Sequence, residues 1–296
     1  MMRGMFSAVS GLKTQQVMLD VAANDLANVN TVGFKGARTT FKDQLQQLMQ
    51  TSSASGAGFG GSNSAQIGLG VTLGTIDNLM TGGAVQATGN AMDVAIQGDG
   101  WFRTGAGNPN PADPTLSTPA IATLAYTRAG NFTRNDNGYL VTGQGDYVVG
   151  RTQPAGTTDC YINVPSGATD VAIGQDGAVS FVPPAGFVQP AALPPVSAGR
   201  AIAGYISLAK FPNENGLERL TGNRWTAGQN AGTENVGTPG QGGTFGLTTA
   251  GALEMSNVDL ASEFTNLITG ERGFQANSRV ISTADEMLQD LVNLKR

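Results

Sequence analysis

Apolar or small residues near the start of the chain recur at Met5, Val9, Leu12, Leu19, Ala23 and Leu26, with Gln16 taking one place, so steps of four and three alternate. This keeps one stripe on one side of a helix and predicts a heptad seam. The helix is expected from Met5 to Asn30, about 39 Å long at 1.5 Å per residue, ending in the turn-forming Asn30-Thr31-Val32-Gly33. The far end repeats the pattern with Leu260, Leu267, Phe274, Ile281 and Leu288, supported by Phe264, Ile268, Ala284 and Leu291. Ser256-Asn257-Val258-Asp259 reads as a capping box, which predicts a helix over Asp259 to Leu294, about 54 Å long.

Between the ends the period changes. Short strands are predicted at Val71–Ile76, Asp93–Ile96, Gly100–Thr104, Leu124–Arg128, Asn131–Arg134, Tyr139–Thr142, Tyr147–Val149, Val171–Ile173, Ala178–Phe181 and Ala203–Phe211. Asn135-Asp136-Asn137-Gly138 and Gly174-Gln175-Asp176-Gly177 are hairpin signals, because Asn, Asp and Gly tolerate positive φ. The Ser/Gly/Ala run from Thr51 to Ser62 reads as a flexible or extended connection, and the proline-rich piece from Pro183 to Pro195 as a loop. The expected fold class is α+β: paired N- and C-terminal heptad helices forming a coiled-coil end, with a glycine-rich, mainly antiparallel β domain between them. The expected divisions are residues 1–34 (first helix), 35–70 (connector), 71–250 (β domain) and 251–296 (second helix). Terminal heptads suit pairing with each other and then with further copies, so a self-assembling polymer is the leading reading.

Composition narrows the chemistry. The 296 residues contain no histidine, which removes the commonest general acid or base and the commonest nitrogen ligand for metals. The lone Cys160 closes no disulfide within the chain, and its neighbour Asp159 disfavours a thiolate, so it reads as a small, partly buried side chain. A net charge of −5 with 13% charged residues gives little attraction to nucleic acid or anionic membrane. No stretch reaches a membrane span, and the N-terminus lacks the apolar run of a cleaved signal peptide. Gly98-Asp99-Gly100 and the glycine-rich Gly237 to Gly243 lack a P-loop lysine and read as turns. Asp43, Asp93 and Asp136 are candidates for a glycosidase carboxylate pair that the sequence does not place together. No catalytic, cofactor or metal site is expected.

Several stretches carry a family resemblance. Ala27-Asn28-Val29-Asn30-Thr31-Val32-Gly33-Phe34-Lys35 closes the first helix, preceded by Val9-Ser10-Gly11-Leu12 and Leu19-Asp20-Val21-Ala22-Ala23-Asn24-Asp25-Leu26. In the middle stand Asp93 to Phe102 and Tyr126-Thr127-Arg128-Ala129-Gly130-Asn131-Phe132, and Glu254-Met255-Ser256-Asn257-Val258-Asp259-Leu260 opens the second helix. In this order they resemble the axial proteins of the bacterial flagellum, the rod and hook family. Arg272 to Ile281, Ser207 to Phe211 and the ending Leu291 to Arg296 look more like a hook protein. The short chain and the Ser/Gly run after Gln50 look more like a distal rod protein. Hook is the favoured expectation and distal rod the alternative; a secreted β-rich binding or adhesin-like module is the rival from another class, with an enzyme third.

The resemblance implies a non-enzymatic structural subunit, a helical homopolymer whose paired helices form an inner tube and whose β domains form the wall. It implies export through the flagellar type III channel without a cleaved signal and a place in the extracellular flagellum. Implied partners are further copies, the adjoining rod, hook-cap and hook–filament junction proteins, and the export apparatus. The expected seam residues are Val9, Leu12, Leu19, Leu26, Leu260, Phe264, Leu267, Phe274, Ile281 and Leu288. The family motif comprises Asn28, Asn30, Thr31, Gly33, Phe34 and Lys35.

Overall fold

The computed structural model describes residues 2–54, 60–107, 123–154, 156, 158–184, 187, 193 and 199–294. Parts of three expectations fall outside them: residues 55–59 of the Ser/Gly run, most of the proline-rich loop after Pro184, and Lys295-Arg296. The fold is α+β, and the chain divides into two compact units.

The first unit takes Met1–Asn28, Gly36–Leu79 and Val258–Arg296. It holds α1 (Met2–Ala27), β1 (Ala37–Asp43), β2 (Gln46–Gln50), β3 (Ala65–Gly68), β4 (Val71–Asn78) and α2 (Leu260–Leu294). Helix α1 packs against α2 and also against β1 and β4. β1 pairs antiparallel with β4, and β2 with β3. Hydrogen bonds from Gln44 N to Gly70 O (3.0 Å) and Leu69 N to Leu45 O (2.8 Å) join the two pairs into one long ribbon, on which Ser53 and Ser62 also pair. This corrects the expected connector at 35–70: strands fill its two ends, and the expected first strand of the β domain is the ribbon's return arm. Composition hid this, because both arms find their partners across the Ser/Gly run rather than beside it in sequence.

The expected start of the second helix also shifts. Asp259 rather than Ser256 is the cap: its Oδ1 accepts from Ala261 N at 3.0 Å, and its carbonyl from Glu263 N at 3.0 Å. The backbone of Asn257 is already committed elsewhere, donating to Phe34 O at 3.4 Å. Neither helix is long and apolar enough to cross a membrane.

The second unit takes Val29–Lys35 and Met80–Asn257. Its strands are β5 (Val85–Ala87), β6 (Val94–Gln97), β7 (Trp101–Ala106), β8 (Thr123–Thr127), β9 (Thr133–Arg134), β10 (Leu140–Val141), β11 (Tyr147–Arg151) and β12 (Asp159–Tyr161). They continue with β13 (Thr169–Ile173), β14 (Ala178–Val182), β15 (Ala201–Ile206), β16 (Leu208–Lys210), β17 (Leu217–Leu220) and β18 (Arg224–Ala227). β19 (Asn235–Gly237), β20 (Leu247–Ala250) and β21 (Ala252–Glu254) complete the set. The main sheet runs β13-β14-β15-β11-β7-β8-β18-β17 with every pairing antiparallel, while β6–β20 and β5–β21 form separate pairs.

The two expected hairpin turns form, with Gly138 N donating to Asn135 O and Gly177 N to Gly174 O, each at 3.0 Å. One core gathers Val94, Phe102, Phe132, Val148, Phe181 and Ile206. A second surrounds Trp101 and Trp225, whose rings meet edge to face at 5.7 Å. The stretches containing Val94 and Gly130 lie so close that a Cβ on Gly130 would sit 1.7 Å from Val94 O, so only glycine fits there.

Candidate assembly site

In the second unit, three of the family-like stretches converge on one buried cluster of charge. The chain turns at Gly33, which has φ +65 and donates its N–H to Glu254 O at 2.7 Å. A Cβ here would stand 2.6 Å from the Arg128 carbonyl carbon. Phe34 then lies under the Arg219 guanidinium (4.7 Å), which also covers Trp225 (4.9 Å) and donates to Lys35 O. Lys35 is fully buried; its Nζ donates to Glu254 Oε1 at 2.6 Å and Thr81 O at 2.8 Å. Glu254 accepts as well from Gly83 N (3.0 Å) and, at Oε2, from Arg128 Nη1 (3.2 Å). The Arg128 guanidinium stands 5.4 Å from the centre of the Trp101 ring.

Burying three charges costs several kcal/mol per ion, offset only where each finds close partners. Here Glu254 answers two cations at once. Burial pulls the Lys35 pKa down, and the neighbouring Glu254 carboxylate acts against that. Glu214, half-buried and raised by desolvation, adds a second negative charge that both Lys35 and Arg128 feel. The cluster fixes the path of Val29–Lys35 rather than performing chemistry. Sequence reasoning named Lys35, Phe34 and Gly33 but not Arg128 or Glu254, although both stand in the quoted stretches. It also missed Arg219 and Asn223, whose Nδ2 donates to Val32 O; the Gly222-Asn223 turn signal was the available clue. Of the other motif residues, Asn28 Nδ2 donates to Asn24 O at 2.9 Å, Thr31 O accepts from Phe34 N at 3.2 Å, and Asn30 is exposed.

In the first unit, the α1–α2 contact brings glycines of one helix against longer side chains of the other. Ala8, Gly11, Thr14, Ala22 and Asp25 are the buried residues of α1, and Gly270 and Ala284 those of α2. A Cβ on Gly11 would meet Asn277 Nδ2 at 2.6 Å, and one on Gly270 would meet Leu19 Cδ2 at 3.0 Å. Of the expected seam, Leu12, Leu19, Leu26, Leu267, Ile281 and Leu288 are half-buried. Val9, Leu260, Phe264 and Phe274 are exposed. The buried positions of α1 are thus small or polar, and the apolar stripe flanks them half-buried, with Leu19 lying against Gly270 of α2. Phe264 and Ile268 remain 51% and 52% exposed. A groove of about 540 Å³ lies between α1 and the ribbon, lined by Phe6, Val9, Val17, Leu45, Leu69 and Leu73.

Cys160 is buried, and desolvation followed by the Asp159 charge pushes its thiol up to about 12, so it is no nucleophile. Each of the three candidate acids has its own local setting. Asp43 accepts from Gln46 in the first unit, Asp93 from Thr88 and Asn90 in the second, and Asp136 is an exposed turn residue. Among the described residues no group of His, Cys, Asp or Glu has the arrangement to hold a metal ion.

Three family descriptions match the chain in order. "Flagella basal body rod protein" covers residues 5–35, "Flagellar hook protein FlgE/F/G D1 domain" residues 95–181, and "Flagellar basal body rod FlgEFG protein C-terminal" residues 249–294. The flagellar basal-body rod protein FlgG of Bacillus subtilis is 45% identical, with all of both chains covered. That of Caulobacter vibrioides is 37% identical over 99% of this chain and all of its own. The flagellar hook protein FlgE of Borreliella burgdorferi is 27% identical over an alignment of 442 residues that covers both chains. Full-length likeness at these identities, with the matched regions at both ends and in the middle, establishes that the chain belongs to the flagellar basal-body rod and hook protein family.

Proposed function

We propose that the chain is the subunit of the straight distal rod of the flagellar basal body, polymerising with its own copies into a tube that transmits rotation. As a member of this family it is a structural subunit of the flagellum and not an enzyme. The observation that carries the rod reading is the length match. The rod relatives at 45% and 37% identity align almost residue for residue, whereas aligning the hook relative takes 442 positions against 296. This outweighs the C-terminal likeness to hook proteins that favoured the hook.

In this reading the terminal helices form the inner part of the tube and the β unit its outer wall, and the neighbours are rod and hook proteins. Export proceeds through the flagellar channel, and the assembled rod lies within the cell envelope beneath the hook. In this reading the paired ribbon of β1 to β4 stiffens the rod against bending. All residues of β2 and β3 are exposed in the single chain. A two-stranded ribbon alone is marginal in water, so it suits a strand pair covered on assembly.

The test is electron microscopy of isolated basal bodies carrying a tag on this chain. Label on the straight segment supports the rod; label on the curved segment outside the cell makes the chain a hook subunit. Deleting residues 46–68 should leave the second unit folded and give bent or unstable rods. Straight, stable rods after that deletion would remove the ribbon from the account.

A further inference from the structure

We infer that the groove between α1 and the ribbon of one copy receives the exposed ridge Leu260-Phe264-Ile268 on α2 of a second copy, with Glu271 of that copy beside Lys13. The inference rests on the reading of the chain as a polymer subunit and names the contact. Groove and ridge are both exposed apolar surfaces of the first unit. The ridge residues are 44%, 51% and 52% exposed, and Phe6 and Leu45 in the groove are 67% and 64% exposed. The ridge cannot turn inward in its own chain, because the side of α2 that carries Gly270, Gly273 and Ala284 is the one set against α1 or buried.

Charge selects the occupant. The first half of α1 carries Arg3 and Lys13 and no acid before Asp20. Helix α2 carries Glu263, Glu271, Asp285, Glu286 and Asp290 against Arg272 and Arg279. Lys13 lines the groove, and among the described residues neither it nor Glu271 makes an ion pair.

Spacing sets the register. Phe6 to Lys13 and Phe264 to Glu271 are each two helical turns, roughly 10 Å along the axis and on one face. A parallel approach that seats Phe264 near Phe6 therefore brings Glu271 to Lys13 and Ile268 to Val9. Because ridge and groove are different surfaces, the contact is head-to-tail and continues from copy to copy instead of closing as a two-fold dimer.

The experiment is oxidation of basal bodies assembled from the full chain carrying Val9→Cys and Ile268→Cys. Cys160 is buried and stays out of the reaction. A ladder of covalent oligomers above the dimer, absent from the unsubstituted chain and from either single variant, is the expected result. Assembled rods with no ladder, or a bond from residue 9 to a different protein, overturn the contact and leave the rod assignment standing. Failure of the unsubstituted chain to enter basal bodies takes down the assignment and the contact together. Should the cysteine variant not assemble, a charge exchange decides. Lys13→Glu should cut rod assembly by about tenfold or more, as like charges meeting at an interface do, and adding Glu271→Lys should recover most of it. Absence of recovery refutes the pairing.

Discussion

Replacing Glu254 by Gln removes the negative charge that Lys35 and Arg128 share in a pocket where all three side chains are at most 3% exposed. The amide keeps the shape and one acceptor oxygen. It turns its NH₂ toward one of the two cations and gives a counter-charge to neither, which leaves the half-buried Glu214 as the negative charge that both feel. Removing one partner of a buried ion pair costs about 3–5 kcal/mol. For a unit of this size each kcal/mol lowers the melting temperature by roughly 2–4 °C, so the expected fall is about 6–20 °C. Lys35→Met is the comparison. It leaves the Arg128–Glu254 pair intact and removes an ammonium whose charged form burial already disfavours, while the Thr81 carbonyl keeps the Asn257 Nδ2 donor at 3.1 Å, so its cost should be smaller, about 1–3 kcal/mol. The assay is urea unfolding of the full chain followed by tryptophan fluorescence. Both tryptophans, Trp101 and Trp225, are completely buried in the second unit, so the signal reports that unit alone. A loss below about 1 kcal/mol for Glu254→Gln, or a larger loss for Lys35→Met than for Glu254→Gln, would refute the claim that Glu254 holds the cluster together.

Gly33→Ala forces a side chain into φ +65 against the Arg128 backbone and should cost at least about 1 kcal/mol by the same assay; Gly130→Ala, with its tighter approach to Val94 O, should cost more. Cys160 should ignore thiol reagents at pH 8 until the protein unfolds, and rapid native labelling would contradict its burial. Because its folded pKa is raised from 9.0 to about 12, the unfolded chain releases that proton first, so this group withdraws stability as pH climbs from about 9 toward 12 and has no effect below. Phe274→Asp removes a ring that is 39% exposed and therefore more than half covered, so the monomer should lose about 1–2 kcal/mol and stay folded while rod formation stops. Sedimentation of the assembled polymer checks this, and normal assembly of the variant would remove Phe274 from the seam.

The two terminal helices were legible because their apolar residues follow the helical period over many turns, and the hairpins at Asn135–Gly138 and Gly174–Gly177 because their residues favour positive φ. The family was legible because short stretches keep their order along the chain. Strands β5, β12 and β17 to β21 were not, being short, mostly partnered far away in sequence and set off by little change of pattern. The ribbon was missed for the same reason, since a Ser/Gly run says how freely a chain bends and not what its flanks pair with.

Sequence by itself determined which segments are helical, which turns are tight and that no histidine or disulfide chemistry is available, because these follow from local spacing and residue type. Only the tertiary structure decided that Gly11 of α1 lies against Asn277 and that Gly270 of α2 receives Leu19 of the apolar stripe, since close approach depends on the shapes of two surfaces at once. It alone decided that Lys35, Arg128 and Glu254 form one cluster: a buried charge is tolerable only where distant parts of the chain bring it a partner, and no spacing along the sequence measures that distance.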